Sequence, residues 1–302
     1  MHETSRLLSA GLLLAVLVAP AWARDEMGMM SKNGPINEIR TLAADGTISV
    51  NNMTGTISVK GWDRNEVSIS GTLGDDVEKL DISGDAKTLS ISVRHPSRLR
   101  GNVSETHLEL RVPARAQLQL DAVSADISVA GTSGAITAKS VSGDVELNVG
   151  SGEINASTVS GDLRVRAPSF KTTLNSVSGD LFATGVRGSL KAETVSGELS
   201  IEGGSFRDIS AQSVSGDMNL DISLEDTAKL TAETLSGDIE LHLPKLPNAQ
   251  LSMKTFSGEL HNGFTGSDDG EIRKVSTTLG AGRGTIDLHT FSGDIVIVAP
   301  KR

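Results

Sequence analysis

Nine acids recur in one phrase of the chain: Asp126, Asp144, Asp162, Asp180, Glu198, Asp217, Asp238, Glu259 and Asp294. Each closes a Val-Ser-Gly-Asp element or a near copy, such as Val141-Ser142-Gly143-Asp144 or Phe256-Ser257-Gly258-Glu259. Carboxylates are the hard oxygen ligands that calcium takes, so a stacked column of them could form a cation face. Calcium-binding β-rolls, however, place several Gly and Asp in every short turn, and one acid per repeat supplies too few ligands. Like charges stacked at roughly 5 Å would also repel by about 1 kcal/mol in water. A plainer chemistry is open to them, since Asp and Ser accept backbone N–H bonds in turns and keep an edge soluble. The pattern favours that structural turn ladder over a metal site.

Other reactive types give less. The hydroxyl column Ser140, Thr158, Ser176, Thr194, Ser213, Thr234, Thr255 and Thr290 could suggest an ice-binding array. Such an array needs exposed Thr-x-Thr, and the residue two before is Ala or Leu in most copies. A hydroxyl ladder that satisfies the bend fits better. Hydrolase or lyase chemistry would need acids or bases that break the period in adjacent repeats; here the acids are the period. His95, His107, His242, His261 and His289 occupy unrelated places in their units and form no metal spacing. Arg164, Arg166, Arg187, Lys191 and Arg207 read as solvated outward charges. Gly280–Gly284 lacks the Lys-Ser/Thr of a phosphate loop. Asp268, Asp269 and Glu271, with Arg283, make a candidate interaction loop. No catalytic, cofactor-binding or metal residue is assigned, and no cofactor is expected.

The elements that carry these residues follow from the repeat. Its copies begin at Val123, Val141, Val159, Val177, Val195, Val214, Leu235, Phe256 and Phe291, spaced 18, 18, 18, 18, 19, 21, 21 and 35. Apolar residues lie five and three before each start, as in Ile136 and Ala138, and alternate again after the acid, as in Val145 and Leu147. Alternation of this kind is the strand signature. Each unit therefore predicts two short strands with a bend at Gly. A period near 18 suits one coil of a parallel β-solenoid, in which each coil buries its apolar face on the next. The fold expected is all-β, a parallel β-solenoid (β-helix) with roughly 18–21-residue coils. Nine coils would span on the order of 40 Å. The Ala column predicts a thin, flattened core, and Phe256 and Phe291 in the Val place suggest that it widens toward the C-terminus.

The repeats occupy 118–300, with an insertion at 261–284. Before them, 36–117 reads as a less regular β-rich portion that caps the rod, because terminal repeats are usually atypical. Gly46–Val50 and Gly55–Val59 look like diverged copies nine apart. Ile295–Val298 is apolar on both parities and should be covered, by the insertion or by another chain. Self-association through the C-terminal end is therefore an expectation.

Residues 1–23 combine a charged start, the apolar run Leu12–Val18 and Ala21-Trp22-Ala23, the pattern of a signal peptide cleaved near Ala23. Export is expected, to the periplasm, the cell surface or the medium, with 24–35 as a flexible leader. No Cys follows for a lipid anchor and no second spanning stretch exists, so no transmembrane segment is expected in the mature chain. The absence of Cys also removes thiol catalysis, Cys-rich metal sites and disulfides. Thirty-eight acids against 28 bases give a net charge of −10, which argues against nucleic acid as a partner. With no Tyr, and Trp62 the one Trp after the signal, a sugar-stacking platform is poorly supplied.

Serial Val-Ser-Gly-Asp elements, Gly61-Trp62-Asp63 after a Gly-x-Ile-x-Val strand, Arg111-Val112-Pro113 before the repeats and a Gly-rich segment before the last Ser-Gly-Asp resemble the bacterial putative-adhesin domain family. The resemblance covers roughly 40–300. It implies an exported β-helical protein of unsettled function and brings no established catalytic residues. The function expected is a non-enzymatic, adhesin-like binding or scaffold protein of the bacterial envelope, whose partner is an envelope glycan or protein. The alternatives are a polysaccharide-acting β-helix enzyme with its site in the 261–284 or 75–105 loops, or an envelope-stress accessory, which only family analogy suggests.

Overall fold

The computed structural model describes residues 35–96, 103–265 and 272–300. The expected signal peptide, the leader up to residue 34, and Asp268, Asp269 and Glu271 lie outside these. Every described element is a strand. The N-terminal strands are β1 (Ile36–Thr41), β2 (Thr47–Trp62), β3 (Glu66–Thr72), β4 (Lys79–Gly84), β5 (Thr88–Arg94), β6 (Thr106–Pro113) and β7 (Gln117–Ala130). Short pairs follow: β8 (Ile136–Lys139) and β9 (Val145–Asn148), β10 (Ile154–Ser157) and β11 (Leu163–Arg166), β12 (Lys171–Asn175) and β13 (Leu181–Thr184). Then come β14 (Gly188–Ser196), β15 (Leu199–Ser215), β16 (Met218–Ser236), β17 (Ile239–His242), β18 (Ala249–Lys254), β19 (Leu260–Asn262), β20 (Lys274–Leu279), β21 (Gly284–Ser292) and β22 (Ile295–Val298). No helix among the described residues is long and apolar enough to cross a membrane.

The alternation read from sequence is what these strands bury. In β9 the side chains of Val145 and Leu147 are buried and those of Glu146 and Asn148 exposed, and β11 repeats this with Leu163 and Val165. Equivalent strands pair in parallel and in register, so like residues stack. One column runs Leu118, Ile136, Ile154, Thr172, Leu190, Ile209 and Leu230. Beside it stands the Ala column Ala138, Ala156, Ala192, Ala211 and Ala232, broken by Leu174. The second strand of each unit contributes Val145, Leu163, Leu181, Leu199, Met218 and Ile239. All of these columns join one continuous core. The result is a solenoid-like, mostly parallel stack.

Three features depart from the sequence reading. First, the stacking order is not the chain order. β21 pairs with β16 on one side and β18 on the other, and β22 lies between β17 and β19. Residues 284–298 are thus inserted between layers that precede them in the chain. The apolar run Ile295–Val298 is an interior strand, and the end of the stack is formed by β18 and β19, with β20 antiparallel to β18. Second, Gly46–Val50 and Gly55–Val59 are the two halves of one unit. β2 pairs with β7 along its length, Ile48 opposite Leu118 and Ile57 opposite Ile127. Nine residues is half a turn of the stack. Below β2 lie β5 and β6 in parallel, closed by antiparallel strands: β4 on β5, β3 on β6 and β1 on β3. Third, Phe256 and Phe291 do not widen the core. They are 71% and 51% exposed, because the position that opens each repeat points outward.

Two predictions follow from the stacking and its cap. A Cβ on Gly161 would overlap the carbonyl oxygen of Gly143 in the layer below, so Gly161→Ala should cost about 3 kcal/mol by overpacking, read as a lower urea midpoint. In the β4–β5 turn, Asp85 accepts the N–H groups of Lys87 and Thr88 at 2.7 and 2.9 Å, and these bonds hold its carboxyl below the ordinary range. Such a depressed group stabilises the turn above the unfolded value near pH 4, and the contribution is lost as pH falls through the lower folded value. The Lys87 and Thr88 amide resonances should therefore titrate together below about pH 4. In Asp85→Ala that titration should vanish.

Candidate functional site

The corner between the two strands of each unit is where every notable residue of the repeat meets. It starts with the hydroxyl that precedes the repeat phrase. Ser140 is buried, and its Oγ accepts the N–H of Gly143 at 2.9 Å; Thr158 and Ser176 do the same for Gly161 and Gly179. Thr255 and Thr290 instead donate to the carbonyls of Gly293 and Gly237. The hydroxyl column is an internal bend device. Beneath Thr194, Ser213 and Thr234 the device changes, because their buried hydroxyls have no hydrogen-bond partner.

The acids act between layers. Asp126 Oδ1 accepts the N–H of Asp144 at 3.0 Å, and Asp144, Asp162 and Asp180 accept in turn from Asp162, Asp180 and Glu198. The chain of bonds resumes from Asp217 to Asp238, Asp238 to Asp294 and Asp294 to Glu259. Each of these carboxylates clamps the layer above it. Among the described residues no three His, Asp or Glu side chains converge on one point that could hold a metal ion.

The feature that the repeat phrase itself concealed is its first letter. Val123, Val141, Val159, Val177, Val195, Val214, Leu235, Phe291 and Phe256 form, in stacking order, one outward ridge along the corner. Of the exposed large hydrophobic side chains, nine stand in this column; Ile39, Phe170, Leu246 and Ile272 lie elsewhere. Exposure runs from 43% at Val159 and Val177 to 71% at Phe256. The Phe256 and Phe291 rings stack at 4.8 Å, 5° from parallel. Beside Val214, Leu235 and Phe291 lies an open groove of about 520 Å³, lined also by Glu193, Gln212, Glu233 and His289. The signal was present in the sequence: a residue one step out of the buried parity must face solvent.

The remaining candidates are scattered. Of the interaction loop only Arg283 is described, and it pairs with Asp226 at 2.5 Å, which fixes the start of β21. Arg164 pairs with Asp162 at 2.8 Å and covers the Phe182 ring; Lys191 pairs with Glu193 at 2.7 Å. The Trp62 indole donates to Glu66 O within a turn, under the Arg64 guanidinium. In the 75–105 region, His95 and Asp76 lie 3.3 Å apart. Burial pushes the Asp76 carboxyl up, but the Ser104 N–H and the other donors outweigh it and hold the group below its ordinary value.

A family model described as Toastrack DUF4097 matches residues 46–298. Similar solved structures include a "putative adhesin" of Parabacteroides merdae, at 9% identity over 87% of this chain and 96% of that one, TM-score 0.43. A "putative lipid binding protein" of Parabacteroides distasonis shares 14% identity over 87% and 96%, TM-score 0.42. A "putative cell adhesion protein" of Clostridium sporogenes shares 13% over 89% and 100%, TM-score 0.23. No curated protein matches the chain.

The acid ladder gives a direct test. Asp162→Ala removes one charge-assisted bond between layers and should cost about 1.5 kcal/mol, whereas Asp162→Asn keeps an oxygen acceptor and should stay within about 0.5 kcal/mol. Equal urea midpoints for wild type and Asp162→Ala would remove the clamp.

Proposed function

The chain belongs to the Toastrack DUF4097 family, and from that membership we propose that it is a non-enzymatic binding scaffold of the bacterial envelope, a parallel β-solenoid of 18- to 21-residue coils. The observation that carries this reading is the outward ridge from Val123 to Phe256. Soluble proteins rarely leave a contiguous apolar stripe in water, and such stripes mark contact sites. The ridge is long and repetitive, which suits adhesion along a surface or polymer. Its aspartates are engaged in clamping layers, which supports a structural role for them over acid–base chemistry. Export rests on residues 1–23, and the partner is an envelope glycan or protein. A charge of −10 makes nucleic acid a poor one.

The test places the purified chain on a panel of envelope and plant polysaccharides and immobilised envelope proteins. Retained binding and new reducing or unsaturated ends are scored in the same wells. Retention without new ends is expected, falling about fivefold for each of Val177→Ser and Val195→Ser, the effect of withdrawing about 1 kcal/mol of apolar contact. New ends would replace the scaffold with an enzyme.

A further inference from the structure

The ridge is not chemically uniform along its length. Near Val123 to Val177 the residues two before it are mixed: Asp121, Lys139, Ser157 and Asn175. From Val195 to Leu235 the charge becomes one-sided: Glu193, Gln212 and Glu233 stand on one flank, and Glu198, Asp217 and Asp238 on the other. At Phe291 and Phe256 the first flank carries His289 and Lys254, opposite Asp294 and Glu259. Lys191 pairs with Glu193 and Gln212 donates to Glu233, and His289 lines the groove beside them. Under this same stretch lie the unpartnered hydroxyls of Thr194, Ser213 and Thr234, each at least nine-tenths buried. An apolar row with acids on both sides from Val195 to Leu235, and on one side beyond it, is a template for the opposite pattern.

Resting on the scaffold reading above, we propose that the segment Val195, Val214, Leu235, Phe291 and Phe256 docks a cationic amphipathic α-helix of about four turns. Its apolar stripe would sit on the ridge, with Lys and Arg reaching Glu193 and Glu233 on one side and the acid column from Glu198 to Glu259 on the other. Charge complementarity selects this occupant. A second copy of the chain, packed ridge to ridge, would oppose acid to acid, and an anionic bilayer would be repelled in the same way. Spacing agrees. Ridge residues repeat at about 4.8 Å and helix turns at 5.4 Å, so a stripe drifts half a rung only after about four turns. A strand laid along the ridge repeats same-face side chains at about 6.8 Å and leaves register by the second rung. The widest and most exposed rungs, the stacked Phe pair, would act as the anchor.

The probe is a fluorescent 14-residue peptide with Leu on one helical face and Lys on the other, titrated with the purified chain in an anisotropy assay. A Leu/Glu peptide of the same pattern and a Leu/Lys peptide of scrambled order are the comparisons. Saturable binding of the patterned Leu/Lys peptide alone is expected. It should weaken about tenfold in Phe256→Ser/Phe291→Ser, weaken comparably in Glu193→Gln/Glu233→Gln, and fall in 0.5 M salt. Phe256, Phe291 and Glu233 are exposed and Glu193 is half-buried, so thermal melts should stay close to wild type. Equal binding of the scrambled or Leu/Glu peptide, or indifference to either variant pair, overturns the proposal. So does a concentration-dependent dimer released by the Phe substitutions, which would assign the ridge to a second copy. Absence of peptide binding while those substitutions abolish retention on the envelope panel would overturn the helix and leave the scaffold standing. Ridge variants silent in both assays would remove both.

Discussion

Parallel pairing at one rung per layer is the interaction on which the rest of the molecule depends. It forces equivalent residues into columns, so every property of a single repeat is multiplied along the stack. At the corner the layers come so close that no Cβ fits: Gly143, Gly161 and Gly179 each stand against the carbonyl of the residue one layer below. The same closeness brings each Asp Oδ1 within reach of the next layer's N–H. Like charges pressed together at that spacing repel by about 1 kcal/mol in water, and a charge-assisted bond of similar or larger size offsets it. The aspartates stay because each holds a backbone donor of the neighbouring layer.

Columns also explain the ridge. An outward apolar residue is harmless once, and a surface Val needs no explanation. Repeated at every layer, it becomes a stripe that water must hydrate along its whole length. Substituting Leu235, Phe291 and Phe256 at one end enlarges the stripe beside the acid column. Uniform layers build the support, and the irregular, longer ones differentiate it.

Much of the fold was legible from the chain because alternation reports burial directly. The Ile/Ala and Val/Leu pairs around each Ser-Gly-Asp fixed both strands, their faces and the inward hydroxyl. What was misread depended on partners that lie far apart in sequence. Nothing local to Ile295–Val298 says that its neighbours are Ile239 and Leu260. Nothing local to Gly46–Val59 says that its nine-residue spacing is half of one unit, until β7 is laid beside it. Phe256 and Phe291 were misplaced for another reason: size suggested a core residue where parity already required an outward one. The donors that the aspartates hold sit one layer away and not within their own turn, which no local pattern shows.

The insertion of 284–298 between two earlier layers has a consequence for the order of assembly. During synthesis the units up to β17 can stack as they emerge, each on a surface already formed. The layer of β18 and β19 cannot, since the place beneath it belongs to a segment not yet made. If it docked early on β16 and β17 it would have to be displaced later, so growth must pause with one interior slot empty. Filling that slot joins residues far apart in sequence, a slow step by loop-closure reasoning. The stack therefore ends by being closed from within. Its most exposed aromatic pair, Phe256 on Phe291, comes together only when that closure is complete.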